Sequence, residues 1–461
     1  MRRIAIATLT SLAFALPAAA QQVETKQYED GGVYVGTFKN GKQDGQGSYT
    51  LPNGYVYEGE WVDGEIKGQG QASYPNGAVY IGSFARGKPE GFGTITYVDG
   101  STYEGEWVDG ERTGTGVATY ANEMRYEGSF RNALHHGIGT LSGPNGYVYE
   151  GNWVNGVKEG QGTITYPDGA RYEGMMAAGQ RSGTGALIMP DGLRYEGTWK
   201  AGQIDGTGVL TQANGDVYEG AFKAGKREGQ GKVTYANGDV YEGAFLNDQR
   251  HGQGSFIGAD GYLYQGGWQN GMIHGTGEVT YPDGSVYTGQ FVEDLAEGQG
   301  KIVYPDGNTY EGTWVAGVIE GQGIATYTSG LTYEGGFKNA KNHGQGTMRY
   351  PDGYVYEGNW VDGKRQGAGK ATYADGSVYE GNFEDGQRHG TGKITMAKGF
   401  VYEGEWLRGE ISGSGVATYA SGDVYEGMFV QGKRQGTGTM RYASGEERSG
   451  EWENGALTSG N

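Results

Sequence analysis

From Tyr34 to Glu447 the chain repeats itself every 23 residues, eighteen times, with no insertion or deletion. No other feature narrows the fold so far. An unbroken period of this length makes each repeat one small supersecondary unit that completes its core only against its neighbours. The repeat "YEGNWVDGKRQGAGKATYADGSV" (356–378) shows the pattern. Position one is always tyrosine, position three always glycine, and position five phenylalanine or tryptophan, with Met176 the lone exception. Glycine also fills positions twelve and fourteen, position sixteen is apolar throughout, and position eighteen is mostly tyrosine. Residues 21–33 carry the tail of a preceding repeat, and 448–461 form a truncated nineteenth.

A spacing of two is the mark of strands. It places Tyr356, Gly358 and Trp360 on one face of a strand, and Gly367, Gly369, Ala371 and Tyr373 on one face of the next. "VDGKRQ" (361–366) and "ADG" (374–376) read as the turns between them. Each repeat is then a β-hairpin. Its glycines let an aromatic ring lie across a neighbouring strand where that strand has no side chain. The 94 glycines would otherwise point to disorder. Against that stand 36 tyrosines, 13 phenylalanines and 9 tryptophans, which offer ample surface to bury. The expected fold is all-β: an extended array of β-hairpins, with a contour of roughly 170 Å before twist and curvature.

The pattern resembles the MORN (membrane occupation and recognition nexus) repeat, most closely in "YEGEWVDGEIKGQG" (57–70). The "HG" of that repeat also stands at His251-Gly252, His343-Gly344 and His389-Gly390. The resemblance covers residues 28–461 and implies consecutive antiparallel hairpins in an elongated, twisted, single-layer sheet with an aromatic-lined groove, used for scaffolding or attachment, in some members at membranes. Certain lipid kinases and lysine methyltransferases carry such arrays beside a catalytic domain. This sequence holds only the array, so the expectation is a binding protein and not an enzyme, with no cofactor.

The first twenty residues differ in kind. Arg2 and Arg3 precede the apolar run "IAIATLTSLAFAL", and Ala18 and Ala20 precede Gln21. This is the form of an export signal cleaved after Ala20, so the chain is expected in the periplasm or outside the cell, as an exported bacterial protein. Removing the two arginines takes the net charge from −19 to −21. That charge disfavours nucleic acid and anionic lipid. The expected partner is another protein, with a cell-envelope glycan or a membrane lipid as the alternative. The open strand edges of the terminal repeats also invite self-association. With no cysteine in the chain, neither disulfides nor thiolate metal sites arise.

Three segments, 36–43, 220–227 and 427–434, begin like phosphate-binding loops, but each lacks the closing Ser or Thr and a following helix. All histidines except His135 occupy position eleven, expected in a turn. His251 and His274 lie in adjacent repeats, without an evident third ligand. Glutamate fills position two in fourteen repeats and is expected on a solvated polar face. The candidate partner site is the irregular region 120–146 with its flanks. Glu123 replaces a turn glycine, His135-His136 is the only histidine pair, and Gly143 removes a position-eighteen tyrosine, leaving a gap for a pocket or bend. Its candidate residues are Glu123, Tyr126, Phe130, His135, His136, Tyr149, Trp153, Tyr172 and Met176.

A longer symmetry overlies the repeat. The Phe/Trp alternation at position five breaks phase at Phe222/Phe245, which suggests duplication of a nine-repeat block, 34–240 and 241–447. "FRNALHHGIGT" (130–140) matches "FKNAKNHGQGT" (337–347), and Met189 matches Met396.

Overall fold

The computed structural model describes residues 22–460; the export-signal segment lies outside the described residues. Two compact units divide the chain, one ending at Ala213 and the other beginning at Asn214. Among the described residues the first contains seventeen strands, from Val23 to Thr211, and the second twenty-two, from Val217 to Gly460. Within each unit a strand pairs antiparallel with the strands before and after it in sequence. Contacts between elements run between consecutive strands, so each sheet is a single layer. The hairpin array expected from the period is the fold.

One repeat explains the rest. Strand Val355–Val361 turns through Asp362 and Gly363 into strand Lys364–Thr372, and Val361 pairs with Lys364. The turn is thus two residues, not the six of "VDGKRQ", and Lys364, Arg365 and Gln366 already belong to the second strand. Asp362 at φ 48° and Gly363 at φ 84° have the left-handed twist that matches paired strands. The Gly363 amide donates to the Asn342 carbonyl of the preceding repeat at 2.9 Å, stacking turn on turn. The second turn is closed by the Tyr373 amide on the Ser377 carbonyl, 2.8 Å, and by the Ser377 amide on Asp375 Oδ1, 2.9 Å.

Position twelve has a different reason from the one its spacing suggested. Gly358 pairs with Gly369 but Trp360 pairs with Arg365, so Gln366, Gly367 and Ala368 together oppose the single Asn359. Gly367 sits in this bulge at φ 71°, a conformation costly to a residue with a Cβ. It serves the backbone and not the clearance of a ring. The two-residue turn also leaves the position-eleven histidines, such as His251 and His274, within strands Gln249–Ile257 and Met272–Thr280 and not in turns.

Positions three and fourteen do provide clearance. The Tyr356 ring lies over Gly358 and Gly369, and a Cβ on Gly369 would meet its Cε2 and Cζ at 2.7 Å. A Cβ on Gly358 would meet the Gly369 Cα at 2.5 Å, so the two strands could not stay paired. Edge-to-face contacts join Tyr356 to Trp360 at 5.2 Å and to Phe383 of the next repeat at 5.0 Å. The Tyr356 hydroxyl donates to the Asn359 carbonyl at 3.1 Å. Tyr356 is wholly buried, Trp360 4 % exposed and Ala371 wholly buried. A single-layer sheet thereby buries a core by laying rings flat on its own backbone. The zigzag of rings repeats through each unit, with Met176, 2 % exposed, substituting for one ring in the first.

Candidate binding faces

The two faces of each sheet differ sharply. Along the polar face, positions two and fifteen pair across strands, so Glu357, Lys370, Glu380, Lys393 and Glu403 form a ladder. Lys370 meets Glu380 and Lys393 meets Glu403, each at 3.1 Å. These pairs are about half exposed, and each contributes at most about 1 kcal/mol. In the second unit this face encloses a groove of about 1530 Å³, lined by position-two glutamates from Glu334 to Glu426 with Lys370 and Lys393. A concavity of about 580 Å³ on the same face of the first unit is lined by Glu173, Glu196 and Thr207.

The aromatic face is built from core rings, cationic covers and an outer tyrosine row. Position ten carries arginine in several repeats. The Arg365 guanidinium lies 5.5 Å from the Tyr356 ring and 5.4 Å from that of Phe383, and it donates to the Gly386 carbonyl at 2.6 Å. Such a stacked guanidinium contributes about 0.5–2 kcal/mol. Burial pushes the phenols of the core tyrosines up, that of Tyr356 to about 12, so they remain hydrogen-bond donors at neutral pH.

Tyrosines at position eighteen stand outside this core. The slot between two consecutive ones is floored by position twenty-two. Where that residue is aromatic the slot is filled, as when Tyr354 lies 5.2 Å from both Tyr350 and Tyr373. In the first unit a groove of about 620 Å³ opens on this face among Tyr55, Trp61, Ile66 and Tyr74.

The candidate residues around 120–146 do not form one exposed cluster. Tyr126, Phe130, Tyr149, Trp153, Tyr172 and Met176 are all at most 4 % exposed and are members of the core ladder. Glu123 is exposed in its turn at φ 63°. His135 and His136 diverge. The His135 ring stacks on Tyr126 at 3.6 Å and its Nε2 lies 2.6 Å from the Tyr120 hydroxyl. His136 Nε2 lies 2.9 Å from Arg131 Nη1 at the surface. Burial, reinforced by Arg112, lowers the His135 pKa to about 4. The expected gap at Gly143 is occupied. A Cβ there would lie 2.9 Å from Met124 Sδ and 3.7 Å from Tyr147 Cβ, and Lys158 Nζ hydrogen-bonds the Tyr147 hydroxyl. The signal was present in the sequence: Gly143 and Gly258 are each followed four residues later by a tyrosine, Tyr147 and Tyr262.

Among the described residues no group of three or more His, Asp or Glu side chains converges to hold a metal ion. The lysines of the three loop-like segments follow two-residue hairpin turns, as Lys42 and Lys226 do, with a strand and no helix after them. Such an array is a repeat module that offers continuous faces along its length.

Eighteen segments, from 34–54 to 425–447, match the MORN repeat, and the chain belongs to that family. It is also similar to Alsin of Rattus norvegicus, 45 % identical over 49 residues. That match covers 10 % of this chain and only 3 % of Alsin. Among solved structures it is similar to the TCP domain of SAS-4 from Drosophila melanogaster, in complex with a proline-rich motif of Ana2, at 15 % identity. That likeness covers 45 % of this chain and 96 % of the domain, with a TM-score of 0.21. For the virginiamycin B lyase of Staphylococcus aureus the values are 11 % identity, 70 % and 94 % coverage, and a TM-score of 0.12. At those scores neither likeness carries an argument.

Proposed function

We propose that the protein is an exported, noncatalytic scaffold of the cell envelope that engages a protein partner along the aromatic face of its repeats. The observation that carries this reading is the outer tyrosine row. It repeats along a sheet whose pairing is unbroken within each unit, so it suits a long ligand and not a small molecule. Arg2-Arg3, the apolar run and Ala18/Ala20 support export. Among the described residues the strands Val23–Gln27 and Ala456–Gly460 each pair on one side, which supports self-association as a second mode.

An envelope glycan stacking on the same rings is the second reading, favoured by the carboxylates of Asp283 and Asp352 beside the tyrosine row. The deciding experiment passes envelope extract over the immobilised chain and, in parallel, co-sediments the chain with purified cell-wall glycan and with anionic vesicles. Saturable protein capture without sedimentation supports the scaffold. Sedimentation with glycan or vesicles alone refutes it. Amino-terminal sequencing of protein expressed in an exporting bacterium should begin at Gln21; an intact Met1 refutes cleavage.

A further inference from the structure

The tyrosine row is longest and least covered in one part of the second unit. Tyr281, Tyr304, Tyr327 and Tyr350 occupy position eighteen of four consecutive repeats. Tyr304 is 36 % and Tyr327 37 % exposed, while Tyr281 and Tyr350 are half-buried. Position twenty-two between them carries Ser285, Asn308 and Leu331, none of them a ring, so these three slots lack the filling that Tyr354 gives the next one. Position ten of the repeats beginning at 264, 287 and 310 is Ile273, Ala296 and Ile319, so the guanidinium found beside Tyr356 is missing here. The phenols of the row lie close enough to raise one another's pKa, Tyr304 acting on Tyr281 and Tyr327 on Tyr304, after the larger effect of burial.

Consecutive tyrosines are two strands apart, or ~9.6 Å. A polyproline II helix advances ~9.3 Å in its three-residue turn and presents the same face every turn. Over three slots the two periods drift apart by only ~1 Å. An α-helix is out by ~1.2 Å per slot at two turns each, and an extended strand alternates its faces at every third residue. A polyproline II backbone also has free carbonyls, which the tyrosine hydroxyls can serve as donors. Asp283 and Asp352 each use Oδ1 to close their own turn, at 2.8 and 2.9 Å from the Ser285 and Tyr354 amides, leaving Oδ2 for a cation.

We infer that Tyr281, Tyr304, Tyr327 and Tyr350 form a docking track for a basic, proline-rich segment of about ten residues, in polyproline II conformation, with a proline in each of the three slots. This assignment rests on the scaffold reading and names its partner's chemistry. It also makes Asp283 and Asp352 the groups that select arginine or lysine at the segment's flanks.

The test is an anisotropy titration of the full repeat chain with a labelled ten-residue peptide, proline at every third position and arginine at both ends. The double variant Asn308→Tyr/Leu331→Tyr copies the native Tyr354 arrangement, so it fills two slots with a residue the fold already accepts there. Binding should weaken at least tenfold in that variant and in Tyr327→Ala, and it should fall with added salt. A peptide of the same charge with glycine for proline should bind at least tenfold more weakly. Failure of the peptide to saturate the chain, or equal binding by the slot-filled variant, overturns the assignment. So does tighter binding of an extended β-linked oligosaccharide to the same track. If the slot-filled variant still captures the proteins that the native chain retains from envelope extract, the track assignment fails and the scaffold reading stands. If the native chain retains none, the scaffold reading itself fails.

Discussion

Replacing Gly369 with alanine would put a methyl group into the Tyr356 ring, whose Cε2 and Cζ lie 2.7 Å from the new Cβ position. The ring cannot slide away, because Trp360 and Phe383 hold its two sides at 5.2 and 5.0 Å and the Asn359 carbonyl holds its hydroxyl at 3.1 Å. Expelling it forfeits about 1.5–3 kcal/mol of burial. Two edge-to-face pairs add about 0.5–1.5 kcal/mol each, and the hydrogen bond about 0.5–1.5 kcal/mol. The low end of these terms is about 3 kcal/mol. Gly363→Ala is the control: nothing lies within 4 Å of its Cβ position, and only its φ of 84° opposes the change. That costs about 1 kcal/mol, and the native Ala133 and Ala340 already adopt φ 65° and 59° at the equivalent position. Amide hydrogen exchange on the full chain reads both. Gly369→Ala should speed exchange about a hundredfold in residues 355–395, since about 1.4 kcal/mol is a factor of ten. Remote repeats should be unaffected, because each hairpin is held only by its neighbours. If Gly369→Ala exchanges no faster than Gly363→Ala, the ring is not locked over the glycine and this account of the core is wrong.

The remaining predictions concern pH and irregular positions. His135 has its pKa lowered from 6.5 to about 4, so an unfolded chain takes up a proton that the folded one refuses. Protection factors in residues 126–153, with the intrinsic pH dependence of amide exchange divided out, should therefore fall as pH drops from 6.5 towards 4 and then level off; His135→Ile, copying Ile66, should flatten that profile, and an unaltered profile would exonerate His135. Burial raises Tyr356 to about 12, with other core tyrosines shifted the same way, so the stability they confer is complete below pH 10 and is lost between 10 and 12. Circular dichroism should show a steep alkaline transition, and gradual loss beginning below pH 10 would contradict it. Glu123→Gly should raise the melting temperature through relief of about 0.5–1 kcal/mol at φ 63°, whereas a lower value would mean that the Glu123 side chain is itself stabilising. If the two nine-repeat blocks are duplicates, residues 333–355 should replace 126–148 with less loss of stability than 149–171 do, since only 333–355 share the left-handed alanine and a histidine whose buried Nδ1 has no partner; equal loss on calorimetry would remove that reading.

How far the primary structure speaks can be followed residue by residue. The 23-residue period and the alternation Tyr356, Gly358, Trp360 were enough for hairpins, for their stacking and for the meeting of ring with glycine, because strand geometry ties a spacing of two to one face. Those relations lie within a single strand or between strands joined by one tight turn, where distance along the chain and distance in space nearly coincide. The bulge ends that correspondence. Gln366, Gly367 and Ala368 oppose one residue, Asn359, so counting back from the turn no longer gives the partner of Gly358, which is Gly369 and not Gly367. Arg365 stays an even number of residues from Gly369 and Ala371, and it covers Tyr356 on their face. The shortness of the turn, two residues, puts position-eleven histidines in strands, and ordinary strand alternation sends His135 and His136 to opposite faces. Tyr147 reaching the space left by Gly143, and the polar groove of the second unit, depend on contacts and curvature among neighbouring repeats. No local spacing carries that information, because it is set by how each hairpin bends and packs against the next.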